Sequence, residues 1–207
     1  MDGLLCNSED LYKKAIQQMG EKRGKVFTNE LHRAIMGRSS EESVGLIKSN
    51  WEINDDLSEL IKERDQKVIE IAETEIEIMP GVQEIMTFCL DNHIPHAIVT
   101  GSSRQVAEAM VKCSNLLNGF KFILTGNEVE HGKPAPDIYL KAAEMIGVAP
   151  EDCLVFEDSL NGAESAKAAG CVVAACPNRF SDTKSFQEFD VVLETLIDFE
   201  KEMKKLF

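Results

Sequence analysis

The sequence predicts an α/β protein: a parallel sheet with helices on both faces, and a helical insertion placed almost at the N-terminus. Three observations carry that prediction. From Pro80 onward, short apolar runs alternate with helical patterns, as expected for strands buried on both faces. Ahead of them, residues from about Ser8 to Ile78 show helical periodicity and almost no strand signal. Met79-Pro80-Gly81 separates the two textures, because proline and glycine interrupt a helix.

Taken in order, Ser39-x-x-Glu42 is a capping box ahead of Val44, Leu46 and Ile47. Leu57, Leu60, Ile61, Val68 and Ile71 fall on one face of a long charged helix that Asp55 or Asp56 could cap. After the break, strands are predicted over Ala97–Thr100, Phe120–Thr125, Cys153–Phe156, Cys171–Ala175 and Val191–Leu193. Helices are predicted near Val82–Asp91, Arg104–Cys113, Ile138–Ile146, Ala163–Ala169 and Thr195–Phe207. Asp137 is placed to cap the third of these.

Composition narrows the partners. The 207 residues are 43% hydrophobic and 28% charged, an ordinary soluble balance. Acidic residues outnumber basic ones by 36 to 22, for a net charge of −14. That surface repels polyanions and argues against nucleic-acid and anionic-membrane partners. A small phosphate remains accessible if a metal and a lysine reverse the field locally. No apolar run approaches the ~20 residues of a membrane helix, and no signal peptide opens the sequence, so a cytoplasmic protein is expected. The six cysteines include no CxxC pair and no zinc spacing with histidine. They read as reduced structural thiols, and His32, His93, His96 and His131 as structural or surface residues.

Four segments carry chemistry. Asp2-Gly3 opens the chain; Thr100-Gly101-Ser102 follows an apolar run; Lys133 lies in HGKPAPD; and Glu157-Asp158 closes the run CLVF. A hydroxyl beside glycine at a helix start offers O–H and N–H donors to an anion. Gly132-Lys133-Pro134 is not a P-loop, because proline replaces the required Ser or Thr. Adjacent acids after a strand suit a hard cation such as Mg²⁺. Each segment alone also reads blandly, as a turn, a surface lysine or a helix cap.

Together, in this order and spacing, the four segments resemble the motifs of the haloacid dehalogenase-like superfamily, whose first motif is Asp-x-Asp-Gly. The resemblance implies a Rossmann-like core over 1–8 and 79–207, with a small helical cap over 9–78 inserted after the first motif. It assigns Asp2 as general acid/base and, through its backbone carbonyl, as a metal ligand. Asp158 supplies a carboxylate to Mg²⁺, and Glu157 assists directly or through water. Thr100, Gly101 and Ser102 hold the phosphoryl group, Lys133 balances its charge, and Arg38 reaches the substrate from the cap. The resemblance sets the nucleophilic aspartate directly before Met1, at the end of a central strand. The first core strand is therefore expected to be missing from this chain.

The stretches MDGLL, EVEHGKPAPDIYL and CLVFEDSLNG look most like pseudouridine-5′-phosphatases, sugar-phosphate phosphatases and β-phosphoglucomutases. An acid at Asp2 favours phosphate-ester chemistry over dehalogenation, since a halide leaves without a proton. The expected activity is Mg²⁺-dependent hydrolysis of a small phosphorylated metabolite by a monomer or weak dimer. A phosphosugar mutase and a non-catalytic phosphate-binding protein of the same fold remain open.

Overall fold

The computed structural model describes residues 1–116, 119–178 and 183–199. The first half is helical: α1 (Ser8–Lys22), α2 (Asn29–Ile35), α3 (Ser40–Trp51) and α4 (Leu57–Glu75). The capping box forms as the sequence specifies. Glu42 N–H donates to Ser39 Oγ at 3.2 Å, and Ser39 N–H to the Glu42 carboxylate at 3.0 Å. Asp56 caps α4, accepting the N–H groups of Ser58 and Glu59. Asp55 is instead held by the Arg23 guanidinium at 2.8 Å. The helices close a core of their own around Ile16, Met19, Val44, Ile47, Trp51 and Leu60. Trp51 is 2% exposed and donates its indole N–H to the Val26 carbonyl at 3.1 Å. A second face, from Leu11, Ala15, Val68 and Ala72, packs on Val106 and Met110 and joins the helical group to the sheet.

The second half alternates as predicted: α5 (Val82–Asp91), β1 (Ile98–Thr100), α6 (Arg104–Cys113), β2 (Ile123–Thr125), α7 (Asp137–Ile146), β3 (Leu154–Glu157), α8 (Leu160–Ala168), β4 (Val172–Ala175) and β5 (Val191–Val192). Every strand pairing among the described residues is parallel. The strands are shorter or shifted by a residue relative to expectation, and β2 forms over only Ile123–Thr125 of the expected Phe120–Thr125; two helix starts differ for local reasons. The N-cap of α7 is Pro136, while Asp137 is its first residue and bonds the His131 ring at 3.0 Å. Helix α8 begins three residues before Ala163, because Ser159 caps it by accepting the Gly162 N–H at 3.1 Å. The helix predicted over Thr195–Phe207 lies mostly outside the described residues; within them, Leu196–Asp198 form one 3₁₀ turn.

The strands form two sheets, β1-β2 and β3-β4-β5. Strands β1 and β3 each pair on one side only, and both end at the same group of polar residues. Among the described residues the break thus falls between the strands ending at Thr100 and Glu157. Among the described residues no helix is long and apolar enough to cross a membrane.

Candidate active site at the strand ends

The N-terminal segment is pinned across the ends of the strands. Met79 N–H donates to the Leu5 carbonyl at 3.0 Å and Asn7 N–H to the Glu77 carbonyl at 3.1 Å. That anchorage aims Asp2 at the end of β1. Its Oδ2 accepts from Thr100 Oγ1 at 2.5 Å, and its Oδ1 from Ser102 Oγ at 3.0 Å. Ser102 N–H donates back to Thr100 Oγ1 at 3.0 Å, so the turn after β1 is closed on itself and on Asp2. Thr100 and Ser102 are buried. Tyr12 of α1 lies 2.9 Å from Ser102 Oγ; since the serine proton goes to Asp2, the tyrosine is the donor.

The helical group braces the same turn. Ser103, the N-cap of α6, donates to Asp65 Oδ2 at 2.6 Å. Asp65 is paired with Arg64 at 2.6 Å, and the Arg64 guanidinium lies over the Tyr12 ring at 5.2 Å. Both members of this ion pair are buried.

At the end of β3, two neighbouring carboxylates have opposite surroundings. Glu157 accepts from Lys133 Nζ and Tyr139 OH through Oε1, and from Ser159 Oγ at 3.0 Å through Oε2. Burial pushes its pKa up, but the Lys133 charge, the Met1 amine and these hydrogen bonds outweigh it and hold the carboxyl below its ordinary value. A Cβ on Gly162 would stand 2.0 Å from Glu157 Oε2, so only glycine lets α8 approach this closely.

Asp158 points the other way, toward the N-terminal segment. Its Oδ2 accepts from Asn178 at 2.9 Å. Burial first, then the Glu157 charge, raises it to about 7, with Asp2 adding to the rise. Gly3 has φ +63°, and a Cβ there would fall 2.3 Å from Asp158 Oδ2. Glycine is therefore required both by the backbone and by the carboxylate beside it. Glu9, at the start of α1, is likewise raised to about 7 by burial and by the charges of Asp158 and Asp2. Asp2, Glu9 and Asp158 thus lie close enough to repel one another.

The structure gathers Asp2, Thr100, Ser102 and Asp158, and it leaves the space around Gly101 open. Lys133 and Glu157 meet each other, with Lys133 also over the Tyr139 ring at 5.1 Å. Arg38 stands apart: it is exposed, in the turn after α2, and donates to the Ala34 carbonyl of that helix at 2.7 Å. Its neighbour Gly37 does reach the sheet domain, accepting from Asn161 of α8 at 2.7 Å. Tyr12, Glu9, Arg64, Asp65 and Asn178 were not singled out from sequence. Ser8-Glu9 reads as an ordinary helix start, and Tyr12 as one more residue of an amphipathic helix. Among the described residues no three His, Cys, Asp or Glu side chains are grouped to hold a metal by themselves.

Hydroxyls, a glycine turn and carboxylates gather where parallel strands end, the edge at which α/β proteins place their ligands. The profile of the haloacid dehalogenase-like hydrolases matches residues 1–176. The chain belongs to that family and is a hydrolase by family. It is 35% identical to a phosphorylated carbohydrates phosphatase of Thermotoga maritima, over 82% of this chain and 79% of that protein. It is 32% identical to a probable pseudouridine-5′-phosphatase of Drosophila melanogaster, over 98% and 90% of the two chains. Among solved structures, a putative β-phosphoglucomutase from Thermotoga maritima superposes with a TM-score of 0.81 at 30% identity, covering 100% of this chain and 97% of that one.

Proposed function

We propose that the protein is a Mg²⁺-dependent phosphatase of small sugar or nucleoside monophosphates, pseudouridine 5′-phosphate among the candidates, acting in the cytoplasm as a monomer or weak dimer. The observation that carries this reading is the Asp2 carboxylate held by the Thr100 and Ser102 hydroxyls, with the crowded Asp158 carboxylate nearby. The phosphatase names of two relatives at 32% and 35% identity support the same class. In this reading residues 1–8 and 79–207 form the core, and 9–78 the cap that admits substrate.

Each residue then has a task. Asp2, fixed by two hydroxyl donors, gives a proton to the leaving alcohol and later takes one from water. The resemblance sets a nucleophilic carboxylate directly before Met1; it would take the phosphoryl group as an acyl phosphate, releasing the alcohol, and water would then cleave that anhydride. The Gly101 amide offers a donor to the phosphoryl oxygens, and the Thr100 hydroxyl and Ser102 amide would join it by exchanging their contacts with Asp2 and Thr100 for the phosphoryl group. Glu157 fixes Lys133 beside them, a task that differs from metal ligation because three protein donors already occupy its oxygens. Asp158 and the Asp2 backbone carbonyl would hold the Mg²⁺. The fit lies in the charge crowding that raises Asp158, which a hard divalent ion with oxygen ligands would relieve. When bound, that ion supplies charge neutralisation to the phosphoryl group.

The test is a panel of sugar and nucleoside monophosphates, with and without Mg²⁺, on a chain extended before Met1 by an apolar strand ending in aspartate. Mg²⁺-dependent phosphate release is expected. A folded extended protein that releases none would leave a phosphate-binding role in place of the enzyme.

A further inference from the structure

We infer that Cys153 and Cys171 form a peroxide-reactive dithiol, a modification site that closes reversibly to a disulfide between β3 and β4. The inference stands on strand register and does not depend on the proposed reaction.

Strands β3 and β4 pair in parallel, with Leu154 opposite Val172. One residue earlier the ladder still holds, since Val172 N–H donates to the Cys153 carbonyl at 3.0 Å. Cys153 therefore stands opposite Cys171 on the neighbouring strand. Because side chains alternate along a strand, both thiols leave the sheet on the same face. Packing agrees. Cys153, Val155, Cys171 and Val173 all meet the cluster shared with α7 and α8, whereas Leu154, Phe156 and Ala174 meet the one on the other face. Charge on Cys153 also reaches its neighbour: burial first, then that charge, pushes the Cys171 thiol up to about 11. In the described strands no other two cysteines share a register position. Cys6, for one, meets Met110 Sδ at 4.0 Å instead.

Adjacent strands run about 4.8 Å apart, inside the ~4.4–6.8 Å between Cα atoms that a disulfide spans. The Cβ atoms must close to about 3.5–4.5 Å, and the backbone can give on both strands. Cys153 leaves a 3₁₀ turn, Pro150–Asp152. Cys171 follows Gly170, whose φ is +87° and whose surroundings are open. The contact to be given up is weak: the Cys153 S–H donates to the Ala149 carbonyl at 3.4 Å, and a thiol is a poor donor.

The chemistry balances with hydrogen peroxide as oxidant. Cys153 is the more open of the two. Its thiolate attacks the O–O bond and keeps one oxygen as a sulfenic acid, while the other leaves as water. The Cys171 sulfur then displaces the retained oxygen as a second water and forms the S–S bond. The two thiols lose two electrons and two protons, and the peroxide gains them. A dithiol reductant reverses the step by exchange. Both thiols are raised above their ordinary value, so thiolate is scarce near neutral pH and the site answers sustained peroxide. The closed bond ties β3 to β4 at the end of the strands away from Glu157 and Asp158, around a loop that contains α8.

The experiment treats the folded chain with hydrogen peroxide, blocks the remaining thiols by alkylation, and maps unreduced peptides by mass. One linked pair is expected, Cys153 with Cys171 of the same chain, and dithiothreitol should return both thiols. Cys171→Ser should stop at the sulfenic acid, which dimedone captures on Cys153. Cys153→Ser should lose the linkage. If either variant does not fold, the linkage map of the unaltered chain still decides. Two intact thiols after prolonged exposure, unlinked sulfinic acids, a bond to any other cysteine, or a bond between two chains would overturn the inference.

Discussion

The helical group closes a core of its own, whereas the sheet buries two clusters and keeps a cavity beside them. Around Trp51, helices α1 to α4 bury Ile16, Met19, Val44, Ile47 and Leu60. Around Val155, the sheet leaves about 930 Å³ open. The difference lies in where backbone hydrogen bonds go. A helix satisfies its own and needs neighbours only for its side chains. A parallel strand leaves backbone groups unpaired along any edge that lacks a neighbour.

This contrast can be broken most severely by deleting side chains on the two sides. Trp51→Ala should cost about 3–5 kcal/mol, while Val155→Ala, truncating a half-buried side chain beside the cavity, should cost about 1 kcal/mol. Urea unfolding of each would show this; equal losses would mean that the cavity is packed in solution.

Next in size is the carboxylate on the closed side of the site. Lys133→Met leaves Glu157 buried without its cation, which should cost about 3–5 kcal/mol near neutral pH. The loss should shrink toward pH 4. Without Lys133 the folded Glu157 binds its proton more tightly than the unfolded one, so folding gains as pH falls.

Smaller is the pH response of the crowded side. Asp158 and Glu9, both raised to about 7, keep protons in the folded state that the unfolded chain has already lost. Between the ordinary carboxylate range and pH 7, stability of the metal-free chain should therefore fall as pH rises, by a few °C in Tm. Mg²⁺ should offset that fall at pH 8 more than at pH 5.5, and thermal melts at both pH values would show it. The smallest effect belongs to the helical group: Ser39→Ala should cost about 1 kcal/mol by opening the capping box, readable from the same melts.

What was legible in sequence follows the same divide. Val82–Asp91 and Arg104–Cys113 were predicted to the residue, because caps and periodicity are local. Asp2, Thr100, Ser102 and Asp158 could be picked out because each sits beside glycine or at a strand end. Tyr12 and Asp65 could not, since their contacts with Ser102 and Ser103 span 90 and 38 residues and leave no mark on local pattern. The surroundings of Glu157 were hidden for the same reason: the sequence reading set it beside a metal, and its contacts with Lys133 and Tyr139 span 24 and 18 residues.

The central claim is that Asp2 protonates the leaving alcohol, and kcat/KM of Asp2→Asn on two kinds of ester tests it most directly. In the strand-extended chain with Mg²⁺, a sugar phosphate, whose alkoxide leaves poorly, should lose about 10²–10⁴-fold. p-Nitrophenyl phosphate, whose phenolate needs no proton, should lose far less. Equal losses on both esters, or none on either, would contradict the account.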